Sequence, residues 1–242
     1  MYIIRGIKNM PPSLRQAVVT IGNFDGIHRG HQALMLTLRQ WATELGGAPT
    51  LVVTFEPHPQ KVLQRGPAPE RITGLHGKSR CIAESGMDGL FILRFTHRLA
   101  ALSPEAFVRT ILVEELAVRA VLVGENFRFG AGGQGDCTTL HALGQQFGFA
   151  VRCQPLLQNE TQTVSSSRIR ELVKAGLFAE VTPLLGRAFA LEGRVVHGDQ
   201  RGEKLGFPTA NLLLTDVLHP PPGVYLVEGR LQDHWLPAIA NL

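Results

Sequence analysis

Between residues 22 and 31 the chain reads Gly22-Asn23-Phe24-Asp25-Gly26-Ile27-His28-Arg29-Gly30-His31. Glycines at 22, 26 and 30 permit tight turns and let the backbone come close to a ligand. His28 and His31 stand three residues apart across the start of a helix-period segment, a spacing that lets both rings aim N–H donors at one point. A helix N-terminus adds unpaired N–H groups and partial positive charge, both suited to phosphate. Together these make a site for a polyphosphate whose α-phosphate is under attack. On the local residues alone, a structural turn and a metal pair stay open as other readings. Against the metal, no glutamate sits beside the histidines as in a zinc protease helix, and no third His or Cys completes a site.

The elements that must position this loop are legible around it. Short apolar runs at Ala17 to Ile21, Thr50 to Phe55, Gly89 to Arg94, Ala120 to Gly124 and Phe149 to Pro155 alternate with helix-period segments. Leu34, Leu38, Trp41 and Leu45 mark one apolar helix face, and Ser103-Pro104-Glu105 supplies an N-cap, a first-turn proline and an early acid. The expectation is a doubly wound parallel sheet, an α/β domain of Rossmann-like form, with chemistry in the loops after Ile21, Phe55 and Gly124. Ser165 to Ala175 and Val181 to Leu185 read as helices forming a hinge. Beyond Ala190 the pattern changes to short alternating runs, Gly193 to His197, Thr209 to Leu214, Val224 to Leu231 and Trp235 to Asn241, separated by Gly and Pro. These predict a second, antiparallel unit of barrel or sandwich type.

Composition narrows the class. The 242 residues are 44% apolar and 18% charged, which excludes disorder and a fibrous repeat. Lys+Arg exceed Asp+Glu by only 24 to 20, without basic blocks, so neither nucleic acid nor a membrane is expected as a partner. Cys81, Cys137 and Cys153 are an odd number at unrelated spacings, and the simplest reading is a reduced, cytoplasmic protein. No run of signal-peptide or membrane-spanning character is seen. Small molecules are the expected partners, and the oligomeric state is not readable.

Further along, Thr54-Phe55-Glu56-Pro57-His58-Pro59 follows the second run, Val123-Gly124-Glu125-Asn126-Phe127-Arg128-Phe129-Gly130 the fourth, and Val164-Ser165-Ser166-Ser167-Arg168-Ile169-Arg170 opens the hinge helix. Gly193-Arg194-Val195-Val196-His197-Gly198-Asp199, Leu205-Gly206-Phe207-Pro208-Thr209-Ala210-Asn211 and Gly223-Val224-Tyr225 come later. With the 22–31 loop, this ordered set resembles the prokaryotic bifunctional riboflavin kinase/FAD synthetases, a branch of the nucleotidyltransferase superfamily with its His-x-Gly-His loop.

The resemblance implies transfer of AMP from ATP to FMN, giving FAD and pyrophosphate, in residues 1–185. His28 and His31 would hold the α/β-phosphates, and Arg170, with its planar fork, would neutralise the departing pyrophosphate. Gly22, Phe24, Asp25, Gly26, Gly30, Asn126, Ser166 and Ser167 would surround the nucleotide. Pro57, His58 and Phe127 would wall the flavin. For Asn126 an ordinary Asx turn remains open, for Pro57 and His58 a turn that happens to contain His, and for Phe127 packing against the sheet.

For residues 186–242 the resemblance implies the N-terminal part of a riboflavin kinase barrel. Gly198, Gly202 and Gly206 would bind ATP, and Thr209 and Asn211 would meet Mg2+. The glutamate that takes the riboflavin hydroxyl proton in such kinases belongs to a segment beginning beyond Asn241. The expectation is therefore a complete adenylyltransferase joined to a truncated kinase half of doubtful activity, with poor order or edge-to-edge association in residues 190 to 242. Two rivals are a non-catalytic flavin- or nucleotide-binding protein and a related nucleotidyltransferase with another acceptor.

Overall fold

The computed structural model describes residues 1–6, 9–64, 66–159, 162–198, 209–231 and 234–242. Six strands form one parallel sheet: β1 (Tyr2–Arg5), β2 (Val18–Ile21), β3 (Thr50–Glu56), β4 (Gly89–Arg94), β5 (Ala120–Gly124) and β6 (Ala150–Gln154), in the order β1-β4-β3-β2-β5-β6. The chain winds outward through β3 and β4 on one side of β2, then crosses to β5 and β6 on the other. That reversal opens a crevice at the carboxyl ends of β2 and β5, where the first-strand loop emerges.

Both faces of the sheet are covered, which is why its central strands are runs of β-branched residues with no polar alternation. Val18, Val52 and Leu90 face α1 (Arg29–Glu44) and α3 (Leu75–Glu84) through Leu34, Met35, Leu38, Trp41 and Ile82. Their neighbours Val19, Val53 and Val121 face the opposite way, toward Phe107, Ile111, Leu112, Leu140 and Leu143. Those residues come from α5 (Pro104–Phe107), the π-helical turns Val108–Glu115 that continue it, and α6 (Cys137–Phe147). Ser103 caps α5 by accepting from the Ala106 N–H, as its Ser-Pro-Glu start predicts. Two short helices, α2 (Pro59–Leu63) and α4 (His97–Ala100), follow β3 and β4 at the same end of the sheet.

The expected hinge is a packed pair. After the small hairpin of β7 (Gln158–Asn159) and β8 (Gln162–Thr163), α7 (Ser166–Lys174) and α8 (Phe178–Leu185) bury Ile169, Leu172, Val173, Val181 and Leu185 against Ile72 and Leu218. Beyond them lie two antiparallel pairs, β9 (Arg194–Val196) with β10 (Asn211–Leu213), and β11 (Val224–Leu231) with β12 (His234–Asn241). The predicted runs land on these strands, and the sheets they form leave large apolar side chains outside, Leu226 at 91% and Ile239 at 72% exposure.

Two sequence readings need correction. Tyr2–Arg5, which is not among the five apolar runs, is an edge strand: only Ile4 of β1 is buried, and the strand is held by its register on β4. Cys137 and Cys153, read as unrelated, are joined as a disulfide with Cα atoms 6.3 Å apart. Wrapping α6 back along β6 brings together residues that sequence spacing kept 16 positions apart. Cys81 is the free, buried cysteine.

Candidate active site

A cleft of about 1010 Å³ opens at the carboxyl end of the sheet, large enough for two small substrates side by side. Its floor is the turn Gly22–Asp25 with His28, Gly30 and His31, and its far rim is the start of α7, Ser165, Ser166, Ser167 and Arg170. Asn126 and Phe127 line it from the loop after β5, and His58 from the loop after β3. These are the loops after Ile21, Phe55 and Gly124 in which the sequence places the chemistry. Gly26 and Pro57 are not among the lining residues: Gly26 lies behind the floor against Ile72, and Pro57 stands between Glu56 and the His58 wall.

Both histidines occupy the first turn of α1. His28 is its N-cap, with Nδ1 accepting the His31 backbone N–H at 3.4 Å, so its proton sits on Nε2. The two rings stack with centroids 3.6 Å apart and planes 18° from parallel. Burial holds His28 down at about 4 and His31 well below the usual imidazole range, the latter also opposed by the His28 and Lys78 charges. At neutral pH both are therefore uncharged donors and acceptors. His31 Nδ1 is buried without a hydrogen-bond partner among the described residues, a capacity that a ligand can fill.

Asp25, expected beside the nucleotide, lines the cleft and also holds its floor together. Its carboxylate accepts from the Ile72 and Thr73 N–H groups and takes the Arg170 guanidinium at 2.6 Å. Ser166 Oγ donates to the Asp25 carbonyl at 2.9 Å. Arg170 also donates to the Glu70 carbonyl, so its fork has two protein partners. Arg187 ties the same loop from outside, donating to the Gly26 and Ile27 carbonyls.

The remaining wall is aromatic. Phe55 and Phe95 meet edge to face at 5.6 Å, and Phe127 stacks on Phe129 at 5.5 Å, all four lining the cleft. Phe129 is buried and Phe127 half-buried, so the first packs under the second, which is presented to the opening. His58 caps α2 by accepting the Gln60 N–H, and burial lowers its affinity for a proton. Among the described residues no cluster of three His, Cys, Asp or Glu could hold a metal ion.

Lys78 escaped the sequence reading. It is only 8% exposed, and its ammonium sits beneath the floor, 2.6 Å from the Asn23 carbonyl. A signal was there: Leu75, Cys81 and Ile82 lie three and four residues from it on the apolar face of α3.

In the second unit, Asn211 begins β10 opposite Val196, and Thr209 is exposed just before it. A Cβ on Gly198 would collide with the Asn211 amide, so this side chain lies across the glycine backbone. Gly202 and Gly206 lie outside the described residues.

Residues 10–168 match the FAD synthetase family model, and residues 185–242 match the riboflavin kinase model. The bifunctional riboflavin kinase/FMN adenylyltransferase of Escherichia coli (strain K12) is 40% identical over 244 residues, covering 100% of this chain and 78% of that protein. Its counterpart from Pseudomonas fluorescens is 40% identical over 242 residues, covering 100% and 77%. A crystal structure described as a macrolide-efflux protein from Streptococcus pneumoniae superposes with a TM-score of 0.85 at 28% identity, covering 100% of this chain and 79% of that one. Among the described residues no helix is long and apolar enough to cross a membrane.

Proposed function

Since the chain belongs to the bifunctional riboflavin kinase/FAD synthetase family, we infer that it makes FAD, transferring AMP from ATP to the phosphate of FMN. The observation that carries this reading is the convergence, in one cleft, of the His28/His31 helix start, the Ser166–Arg170 helix start and the aromatic wall. An FMN phosphate oxygen attacks the α-phosphorus of ATP. A new P–O bond forms as the bond to the bridging oxygen of the β-phosphate breaks, and pyrophosphate leaves.

The nucleophile is already an oxyanion, so the protein has no proton to remove and acts by placing two anions in line and stabilising charge. Neutral His28 and His31 donate to the α/β-phosphates without adding a charge that the pair would have to share. The α7 N-terminus, with Ser166 and Ser167, offers backbone and hydroxyl donors to the leaving side. Arg170 receives the pyrophosphate with the face of its fork not engaged by Asp25. Asn126 contacts phosphate at the mouth, and Phe127 with His58 flanks the isoalloxazine. Gly22, Phe24 and Gly30 shape the floor close to the nucleotide.

Magnesium ion suits both halves of such a protein. In the adenylyltransferase cleft it would arrive with the ATP phosphates. In residues 186–242 the Thr209 hydroxyl and Asn211 amide are the hard oxygen donors it prefers, beside the Gly198 backbone. There it would offset the charge of ATP, and riboflavin would be the phosphate acceptor. Incubation with FMN, ATP and Mg2+ tests the adenylyltransferase: FAD and pyrophosphate in equal amounts are expected, and absence of both from folded protein refutes it. Formation of FMN from riboflavin and ATP, assayed separately, tests the kinase half.

A further inference from the structure

We propose that Lys78 is a positioning residue for adenylyl transfer, a buried cation that locks the floor of the cleft and thereby sets His31 against the phosphates. The inference deepens the adenylyltransferase reading and rests on it. Lys78 Nζ donates to the Asn23 carbonyl at 2.6 Å and reaches Thr54 Oγ1 at 3.4 Å, while Thr54 Oγ1 itself lies 3.2 Å from the same carbonyl. Two donors, one from α3 and one from β3, thus converge on one peptide oxygen of the floor. The next residue, Phe24, is held at φ 47°, a left-handed conformation that a non-glycine residue adopts only under constraint. The Phe24 ring in turn packs edge-on against the His31 ring, centroids 5.1 Å apart. The path from Lys78 to the imidazole is therefore one hydrogen bond, one constrained residue and one ring contact.

Stability does not account for this lysine. Its hydrogen-bond partners are neutral oxygens, and the carboxylates that favour its charge, Asp25 and Glu56, are already paired with Arg170 and Arg71. A buried ammonium without its own counter-ion costs free energy that an apolar side chain of similar length would not. Burial pulls Lys78 down to about 8, with Arg71 opposing its charge and Asp25 and Glu56 supporting it, so the cation persists at neutral pH against that cost. The groups it faces are Asp25 in the floor, Glu56 and Arg71 behind it, His31 on α1 and His58 on α2. Its charge disfavours protonation of both histidines.

The test compares wild type with Lys78→Met and Lys78→Gln, measuring FAD formation, KM for ATP and for FMN, thermal midpoint and the pH profile of kcat. For Lys78→Met we expect a thermal midpoint at or above that of wild type. Its kcat should be lower by roughly 30- to 100-fold, the scale of loss when a reacting group is misplaced by about 1 Å. Both KM values should hold within about threefold, and the acid limb of the profile should move to higher pH. Lys78→Gln, which keeps a donor for Asn23 but no charge, should fall between the two. An active wild type with Lys78→Met within about twofold of it in kcat, or with a superimposable pH profile, overturns the proposal. Loss of folding in both variants also overturns it, assigning Lys78 to the fold. An inactive wild type removes the adenylyltransferase reading and this inference with it.

Discussion

Arg170 closes on Asp25 at 2.6 Å, joining the start of α7 to the floor of the cleft across 145 residues of sequence. The pair is nearly buried, and the same carboxylate holds the Ile72 and Thr73 N–H groups. Asp25→Asn keeps the shape but leaves the guanidinium without its counter-charge. Removing one partner of a buried pair costs about 3–5 kcal/mol. We expect a loss of that order in urea unfolding, with Arg170→Ala less severe in stability but raising the KM for ATP.

His31→Ala should act on turnover. In the proposed role its contact would gain strength as charge develops on the transferring phosphate, so kcat should drop by about 100- to 1,000-fold while the KM for FMN changes little. Steady-state FAD formation gives both numbers. A matched rise in KM with unchanged kcat would take His31 out of the chemistry.

Acid should weaken the fold through His28. Its imidazole is held near 4 in the folded protein by burial, against about 6.5 when unfolded. Between those values the unfolded chain binds the extra proton, so stability is full above pH 6.5 and is lost as pH falls toward 4. The loss attributable to this group is about 3 kcal/mol. Urea midpoints of wild type and His28→Gln, taken from pH 7.5 down to 4.5, should converge at the acid end as the wild type gives up that stability.

The Cys137–Cys153 link closes a loop of 16 residues, for which chain entropy gives about 3 kcal/mol. Peptide mapping without reductant should recover the two cysteines joined, and Cys81 alone. Thiol reductant or Cys153→Ser should lower the unfolding midpoint while leaving FAD formation measurable, because Asn126 is carried by the β5 loop and not by α6.

The parts legible in the sequence were those where one local pattern carries the information. Thr50–Glu56, Gly89–Arg94 and Ala120–Gly124 are buried on both faces and stand out as apolar runs. The cleft was traceable because parallel strands deliver their loops to one end. What stayed hidden depends on partners remote in the chain. Tyr2–Arg5 becomes a strand only through β4, and Asp25 is a hub only because Ile72 and Arg170 reach it. Helix spacing puts Lys78 on the apolar face with Leu75, Cys81 and Ile82, but its partners Asn23 and Thr54 are brought to it only by the fold.

The bonds from Ser166, Arg170 and Arg187 to the Asp25–Ile27 backbone and side chain carry a consequence for biosynthesis. The floor of the cleft leaves the ribosome among the first residues, but the groups that brace it are translated more than a hundred residues later. Until they emerge, the left-handed turns at Phe24 and Ile27 have no clamp from that side. A nascent chain halted before Arg170 carries every strand of the sheet through β6 but not the side chains that brace the cleft floor. In such a chain Asp25, Gly26 and Ile27 lack the partners that Ser166, Arg170 and Arg187 supply in the folded protein.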